Sequence, residues 1–418
     1  MLGKRLLVVG IAGLGVLLLL SLGAVWAQSG VSLTETEELG KSIFFDESLS
    51  MNGNQSCASC HDPAVGFTGP LSDINAGGAV YEGSILGRFG DRRPPSAAYA
   101  TQSPIFHLAK DMWTGGNFWD GRATGEKLGN PAADQAQGPF VNPVEQALPD
   151  SACVVYRVCT GTYGAAVDEV WGAGTCAIAW PGDVESQCAV ETGSVLLSPA
   201  DQALSDMAYD QIALSVAAYE ASPEVNAFTS KYDLKVKLTK EEKRGRALFQ
   251  GKARCSACHP SNGQLPLFTD YTFDNLGVPQ NPENPAGMSP GFVDPGLGGS
   301  LQNAGYSEDV YMAEWGKQKV PTVRNVDKRP DDSVVKAYTH NGYFKTLGGL
   351  VHFYNTRDVL PLCPGPYTEA QALAAGCWPA PEVAENVNDS ELGDLGLSAA
   401  DEVAIVAFLK ALSDGYTP

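Results

Sequence analysis

The sequence predicts a mainly α-helical protein built from two similar halves with long irregular loops. A helix with a polar start and an apolar face opens each half, and a second apolar-periodic helix closes it. Loops are indicated by segments such as Asn262–Gly305, which are rich in Gly, Pro and Asn and have no clear period. These residues favour turns and interrupt regular structure.

The two opening helices form an internal repeat. Leu33–Phe44 and Leu238–Phe249 both begin with Leu-Thr, contain an acidic first turn and a central Gly, and end in Phe. Each carries Thr-x-x-Glu near its start, the pattern of a capping box that satisfies the first backbone N–H groups of a helix. We therefore expect the same local structure twice.

The closing helices define where each half ends. Met207–Ala221 and Ser398–Leu412 have apolar residues at helical spacing, and Ser398 is a suitable N-cap. The segment Ser222–Lys237 is interpreted as the crossover between the halves. We therefore predict two domains, at residues 28–230 and 231–418.

Each half contains one Cys-x-x-Cys-His motif. The motif residues are Cys57, Cys60 and His61, and Cys255, Cys258 and His259. Two thiols one helical turn apart can add to the vinyl groups of a haem, and the adjoining His can bind the iron. A zinc site or a thioredoxin-type redox pair is the alternative, but a zinc site would need the two pairs to converge. The motifs predict two covalently bound haem c groups in two cytochrome c-like domains.

The N-terminus predicts export from the cytoplasm. Lys4 and Arg5 precede an apolar run over residues 6–26, and Ala27 provides a small-residue cleavage site. We interpret residues 1–27 as a signal peptide and expect a periplasmic protein. The run is long, so an uncleaved membrane anchor is the alternative, and contact with a membrane is expected only in that case.

Six cysteines remain outside the two motifs. They are Cys153, Cys159, Cys176, Cys188, Cys363 and Cys377. An even number in an oxidising compartment predicts three disulfides that stabilise the scaffold. Pairing each cysteine with its nearest neighbour along the chain is the simplest of about fifteen connectivities, and the sequence does not choose among them.

The charge argues against one class of partner. The formal net charge is −20 at pH 7. Nucleic acid needs a basic face for its phosphates, so we expect no nucleic-acid partner.

Five stretches in a fixed order resemble a known family. They are residues 39–50 before the first haem motif, 118–125 (FWDGRATG), 138–146 (GPFVNPVEQ), 319–326 (KVPTVRNV) and 339–355 (THNGYFKTLGGLVHFYN). Through them the chain resembles the bacterial di-haem cytochrome c peroxidase and MauG family over nearly its full mature length. This resemblance implies a set of axial ligands, pocket residues and an activity for the chain.

The resemblance implies an open first haem. Classical peroxidases of the family have a distal His sixteen residues after the proximal His, and Gly77 stands at that position here. The first iron is then expected to have one protein ligand, His61, and a free face for peroxide. His107 as a distal ligand is the competing interpretation.

The resemblance also implies a Tyr ligand for the second haem. In the peroxidases a Met ligand follows the His of a His-Asp-Gly motif by fourteen residues; the matching His here is His340, and Tyr354 takes the ligand position. Together with His259, Tyr354 would bind the iron through a hard oxygen donor that favours oxidised iron. In the alternative interpretation Tyr354 is a core aromatic and His352 is the ligand.

Four further residues are assigned to catalysis by the resemblance. Gln135, Pro139 and Glu145 fall on distal-pocket positions of the first haem, and Trp119 matches the Trp between the haems. Glu145 would act as the general acid–base toward peroxide, helped by a raised pKa in an apolar pocket. Trp119 would relay charge between the irons.

Two departures from the family bear on a metal ion and on a surface site. The family's calcium between the haems uses an Asn where this chain has Arg93, which leaves calcium open. The surface Trp that carries oxidising equivalents in MauG is replaced here by Ala253. Oxidising equivalents must then leave through another aromatic residue, such as Trp315, Trp113 or Trp378, or the partner must dock on a different face.

The resemblance implies a peroxide-dependent di-haem oxidase that generates a high-valent iron state and oxidises Trp or Tyr of a secreted partner protein. The MbnH-type branch, which converts a Trp of a partner to kynurenine, is closest in residues 92–100 and 115–125. The alternative enzyme is a periplasmic cytochrome c peroxidase that reduces hydrogen peroxide with electrons from a small redox protein. A pure electron carrier, the non-enzymatic alternative, would need two protein ligands on each iron.

Overall fold

Helices make up most of the regular structure in the computed structural model, which describes residues 32–289 and 291–417. The helices are α1 Glu35–Phe44, α2 Cys57–Cys60, α3 Ser72–Ala76, α4 Pro131–Val141, α5 Ser151–Thr160, α6 Gly164–Trp171, α7 Val184–Cys188, α8 Pro199–Ala221, α9 Lys240–Gln250, α10 Gly296–Asn303, α11 Glu308–Met312, α12 Leu347–Thr356, α13 Glu369–Ala375 and α14 Ala399–Lys410. Strands β1 His107–Ala109 and β2 Met112–Thr114 form one antiparallel pair, and β3 Phe273–Asp274 and β4 Gln318–Lys319 form another. The predicted fold class, mainly α with long irregular connections, is confirmed.

The capping boxes of the repeat are present in both halves. Thr34 caps α1 and accepts a hydrogen bond from the backbone N–H of Glu37, whose side chain accepts from the backbone of Thr34. Thr239 and Glu242 make the same reciprocal pair at the start of α9. Local sequence is sufficient here because a capping box involves residues only three apart.

A glycine in each opening helix sets how closely it packs on the closing helix. A Cβ atom on Gly40 would lie 1.8 Å from the carbonyl oxygen of Ser215 in α8. A Cβ atom on Gly245 would lie 1.8 Å from the carbonyl oxygen of Ala404 in α14. In each half the opening and closing helices therefore cross at the same close distance, which only a Gly at the crossing point permits.

The first closing helix ends at the predicted Ala221, and the second ends at Lys410, two residues before the predicted Leu412. The last helix follows its predicted cap, Ser398. The first begins at Pro199, eight residues before the predicted Met207, because Ser198 caps it and Pro199 suits the first helical position. The expected loop Asn262–Gly305 is largely irregular but contains β3 and α10.

Hydrophobic side chains gather in two main clusters, one for each half of the sequence. The first lies mostly between Leu39 and Phe228 and the second between Phe249 and Leu412. Residues from Leu33 onward nevertheless form one compact unit. The predicted division between residues 230 and 231 stays a prediction.

Three disulfides join the six remaining cysteines, and one of them is a predicted nearest-neighbour pair. Cys363 bonds to Cys377. The other bonds join Cys153 to Cys188 and Cys159 to Cys176. Nearest-neighbour pairing of Cys153 with Cys159 is wrong because both lie in α5, where six residues advance the chain about 9 Å. That distance exceeds the span of a disulfide.

The predicted signal peptide, residues 1–27, lies outside the described residues. Within residues 32–289 and 291–417, none of the helices combines the length and apolar character needed to cross a membrane.

Candidate haem-binding sites

Each Cys-x-x-Cys-His motif lies on the wall of a separate cavity. Cys57, Cys60 and His61 line the first cavity, and Cys255, Cys258 and His259 line the second. The first pair of thiols spans the single-turn helix α2, and the second pair spans a short 3-10 turn. All four are free of disulfides, as thioether formation requires.

The two motif histidines are oriented in the same way. Nδ1 of His61 is 3.1 Å from the carbonyl oxygen of Phe67, and Nδ1 of His259 is 2.8 Å from that of Phe268. Both Phe residues have a positive φ, 58° and 52°, so the same unusual turn presents both carbonyls. When Nδ1 carries the proton and donates it to this carbonyl, Nε2 is left for a metal. Burial lowers the pKa of both histidines, which favours this neutral form.

The wall of the first cavity includes the predicted catalytic side chains. Gln135 and Pro139 are four residues apart in α4, so both fall on the helix face that lines the cavity. Glu145 follows α4, and Asn142 donates a 3.1 Å hydrogen bond to its carboxylate. Burial raises the pKa of Glu145, while Arg122 and the Asn142 bond oppose that change. Glu145 is therefore a carboxyl group whose proton is held more firmly than in water.

The first cavity offers His61 as an iron ligand, while the phenol of Tyr81, which also lines it, accepts a 2.8 Å hydrogen bond from the backbone N–H of Leu71. Among the described residues that line it, His61 is the only histidine, and methionine and lysine do not occur. Gly77 ends α3 and does not line the cavity. His107, the competing ligand, is exposed on β1, with its Nδ1 2.8 Å from the carbonyl oxygen of Ile105.

A second carboxyl group, which the sequence did not indicate, lines this cavity. Glu220 lies near the end of α8 and lines the first cavity. Burial raises its pKa to about 8, and its charge in turn raises the pKa of Cys57. The only signal in the sequence was a charged residue in the otherwise uncharged run Val216–Ala221.

Tyr354 lines the second cavity from α12. Burial raises its pKa well above the usual value, and the nearby thiols of Cys258 and Cys255 add to that effect. The protein alone therefore disfavours a phenolate, and a cation such as ferric iron is needed to hold one. Among the described residues, no methionine lines this cavity.

The two other histidines near α12 are placed differently. His352 does not line the cavity; its Nδ1 is 3.0 Å from a carboxylate oxygen of Glu402. His340 does line it, and its Nε2 lies 3.5 Å from Glu382 and 3.9 Å from Asp294. His340 thus belongs to an acidic group of side chains, whereas Tyr354 lies with the thiols.

Two carboxylates lie beside the thiol of Cys258. Asp274 and Glu391 are joined through Asn388, which donates hydrogen bonds of 2.6 Å and 2.8 Å to them. With Cys258 they form a cluster whose ligand atoms lie within 4.8 Å of one another. Because Cys258 belongs to the haem motif, we assign no separate metal to it. Negative charge at this place favours the oxidised state of a nearby iron.

Trp119 and Arg93 line both cavities. The Trp119 indole N–H donates a 3.0 Å hydrogen bond to the carbonyl oxygen of Arg93, whose guanidinium lies 5.2 Å from the indole ring. The Trp119 ring is 6.5 Å from the ring of His340. The predicted position of Trp119 between the two sites thus corresponds to a wall shared by both cavities.

Three cations on these walls, one buried and two partly buried, form no salt bridge with the described residues. They are Lys336, Arg93 and Lys319. Burial lowers the pKa of Arg93 to about 10 and those of Lys319 and Lys336 to about 7. Lys336 donates to the carbonyl oxygens of Val65 and Lys328, at 2.7 Å and 3.0 Å. A buried charge without a counter-ion is costly, so these side chains match an anionic ligand.

The residues present fit two haem c groups. The four thiols, two histidines with Nε2 left for a metal, apolar walls and cations correspond to the vinyl, iron, porphyrin and propionate parts of a haem.

Comparison with known proteins also indicates a protein with two haems. A family model described as di-haem cytochrome c peroxidase matches residues 34–242. The methylamine utilization protein MauG of Paracoccus denitrificans is 34% identical over 389 residues, which cover 90% of this chain and 88% of that protein. The cytochrome c551 peroxidase of Nitrosomonas europaea is 26% identical over 353 residues, which cover 79% of this chain and 80% of that protein.

Solved structures show the same fold. The diheme peroxidase BthA from Burkholderia thailandensis superposes with a TM-score of 0.69 at 28% identity, over 91% of this chain and 86% of that one. A MauG-like protein associated with microbial copper homeostasis has a TM-score of 0.58 at 22% identity, over 92% and 91% of the two chains. The second comparison concerns the fold alone.

Proposed function

Because the chain belongs to the di-haem cytochrome c peroxidase family, which includes MauG, we propose that it is a peroxide-dependent oxidase of aromatic residues in a partner protein. It is an oxidoreductase of a family that acts with peroxide, and family membership implies two haem c groups. What we propose beyond family membership is the branch to which the protein belongs and the class of its substrate.

One observation carries this choice of branch. Tyr354 lines the second cavity beside Cys258, and no methionine is found among the described residues of that wall. A phenolate is an anionic oxygen donor and stabilises oxidised iron, whereas a thioether stabilises reduced iron. Asp274 and Glu391 add negative charge on the same side. These groups support a second haem that retains an oxidising equivalent.

The side chains of the first cavity have separate tasks in the proposal. Glu145 removes a proton from the near oxygen of hydrogen peroxide and delivers it to the departing oxygen. Gln135 and Pro139 shape the pocket in which peroxide lies, and Trp119 connects the two sites. The haem, when bound, supplies the two-electron reduction of peroxide.

The proposal is tested on the oxidised holoprotein by electron paramagnetic resonance. We expect one high-spin haem, with one protein ligand, and one low-spin haem, with two. Hydrogen peroxide added without a reductant should change the Soret absorption within the mixing time of a stopped-flow experiment. Two low-spin signals would instead indicate an electron carrier and end the proposal.

A cytochrome c peroxidase fed by a small redox protein is the second candidate, supported by relatives that bear this name. That enzyme would show its peroxide reaction only after the second haem had been reduced. Among the described residues that line the first cavity there is no second histidine and no methionine or lysine, and the Tyr81 hydroxyl group is already hydrogen-bonded, which favours reaction without this activation.

The partner is proposed to be an exported protein that presents a Trp or Tyr at its surface. The N-terminal sequence, residues 1–27, supports a periplasmic location for the enzyme. The substrate is then a protein in the same compartment, and hydrogen peroxide is the oxidant.

We further propose that Arg93 takes the place of the family's calcium ion between the haems. Its guanidinium donates hydrogen bonds of 2.7 Å and 3.1 Å to the carbonyl oxygens of Thr339 and Pro94. Carbonyl oxygens are groups that a calcium ion would use. The nearby positive charge of Lys336 adds to the mismatch with a divalent cation. The described residues here do not fit calcium.

Calcium content and thermal stability test the role of Arg93. The holoprotein is expected to contain substoichiometric calcium by elemental analysis, and a chelator should leave its Tm unchanged. Arg93→Asn leaves both carbonyl oxygens without a donor, so its Tm should fall and should recover in part when calcium is added. One calcium ion per wild-type chain, or a chelator-dependent Tm, would contradict the proposal.

A further inference from the structure

A chain of aromatic rings leads from the interior, beside the segment that follows Trp119, to the protein surface. Its members, which we call the aromatic relay, are Phe273, Phe106, Trp113 and Tyr306. The ring of Phe273 is 6.0 Å from that of Phe106, which stacks on Trp113 at 4.9 Å and an interplanar angle of 4°. Trp113 then meets Tyr306 edge to face at 5.4 Å. Tyr306 is 43% exposed, so the relay ends in solvent.

The inner end of the relay lies one residue from a lining residue of the second cavity and against the segment that follows Trp119. Asp274 lines the second cavity, and its neighbour Phe273 points to the opposite side of β3. A Cβ atom on Gly121, two residues after Trp119, would lie 2.7 Å from the Phe273 ring. The carbonyl oxygen of Trp119 also accepts a 2.7 Å hydrogen bond from the backbone N–H of Lys319, which pairs with Phe273.

The other candidate exits are less suitable. Trp378 is 1% exposed and lies within the second hydrophobic cluster. Ala253, which has no aromatic ring to oxidise, is 2% exposed. Trp315 has one aromatic neighbour among the described residues, Tyr311, at 6.2 Å. Among the described residues, the partly exposed ring that Trp378 meets is that of His352, at 6.0 Å, and an imidazole is harder to oxidise than an indole.

Tyr271, whose ring centroid lies 5.1 Å from Nζ of Lys319, is poorly suited to hold the oxidising equivalent for a chemical reason. Its hydroxyl group is buried and has no hydrogen-bond partner among the described residues. Oxidation of a phenol at neutral pH releases its proton, and burial has raised the pKa of Tyr271 to about 12. An indole loses an electron without first losing a proton, so Trp113 is the first side chain of the relay suited to oxidation.

We propose that Trp113, with Tyr306 beside it, is the site from which oxidising equivalents leave this enzyme for an aromatic side chain of the partner. The inference rests on the proposed function and names its exit. Each one-electron oxidation of the partner returns one electron through Trp113, and two such electrons with two protons reduce hydrogen peroxide to two waters. Without a partner, Trp113 itself takes up one oxygen atom from hydrogen peroxide, and one water is released.

The self-oxidation reaction provides a test that needs no partner. The holoprotein is treated with hydrogen peroxide, without a reductant, and oxygen incorporation is located by peptide mass spectrometry. We expect adducts on Trp113 or Tyr306. Trp180 is the matched control, because it is also half-buried and has Tyr156 edge to face at 5.3 Å, but it does not line either cavity. Exposed Met288 reports direct chemistry of peroxide in solution.

Two variants complete the experiment. Trp113→Phe should lose the adducts on the relay, while the stopped-flow Soret response to peroxide stays unchanged. Trp180→Phe should change neither result. Adducts mainly on Trp315 or Trp378, or equal labelling of Trp113 and Trp180, would overturn the exit site while the proposed function stands. A wild-type protein whose Soret absorption does not respond to peroxide would overturn both.

Discussion

Glu145→Gln is expected to slow the reaction with hydrogen peroxide by a factor of about 10²–10⁴. The amide keeps the shape of the side chain and can still meet Asn142, but it cannot take a proton from peroxide. The resting absorption spectrum should stay nearly the same, because Glu145 is not a proposed iron ligand. The measurement is the second-order rate constant of the Soret change in a stopped-flow instrument.

The pH profile tests the same role independently. The reactive form is the carboxylate, and burial raises the pKa of Glu145 above its ordinary value. The wild-type rate should therefore fall as the pH drops through this raised pKa, at a higher pH than for an exposed carboxyl group. In Glu145→Gln this acidic limb should disappear from the profile.

Glu220→Gln is the matched control for a general loss of charge in the first cavity. Glu220 also lines this cavity, but it lies on α8 and not on α4, which carries Gln135 and Pro139. Its variant should keep the peroxide rate within a few-fold of wild type. If both variants lose the rate equally, the assignment of the acid–base role to Glu145 is wrong.

Tyr354→Met is expected to raise the reduction potential of one haem by an amount on the order of hundreds of millivolts. Axial ligands alone span about 0.8 V in haem proteins, and exchange of an anionic oxygen for a neutral thioether stabilises reduced iron. The potential of the other haem should move little. A spectroscopic redox titration measures both. The variant should also need prior reduction before it reacts with peroxide.

Two control variants separate a ligand from its neighbours. Tyr338→Phe removes a hydroxyl group from the same cavity, and His352→Gln removes the alternative ligand. Neither should shift a haem potential by more than a small fraction of the Tyr354→Met effect. A large shift in His352→Gln, with none in Tyr354→Met, would assign the iron to His352.

Much of the fold and part of the site could be predicted because they depend on short stretches of chain. The Cys-x-x-Cys-His motifs, the capping boxes at Thr34 and Thr239 and the cap at Ser398 are complete within a few residues. The predicted positions of Glu145 and Tyr354 on the cavity walls came from a resemblance covering several linked motifs. Their chemical roles stay predictions.

Other features depend on distances that the sequence does not contain. Cys153 bonds to Cys188 because a helix holds it apart from Cys159, although those two are closer along the chain. Glu220 joins the first cavity only because α8 packs against α1. No local pattern marks such contacts.

The sequence by itself determined the kind of cofactor, the duplicated helices and the presence of a phenol at the position where the resemblance places the Met ligand of classical peroxidases. Only the tertiary structure decided that the partly buried cation Arg93 lies between the cavities and that Trp113 joins a series of rings reaching the surface. The physical reason is range: covalent attachment and helix capping act over a few residues, whereas ion compensation and electron transfer depend on the spacing of side chains from distant parts of the chain.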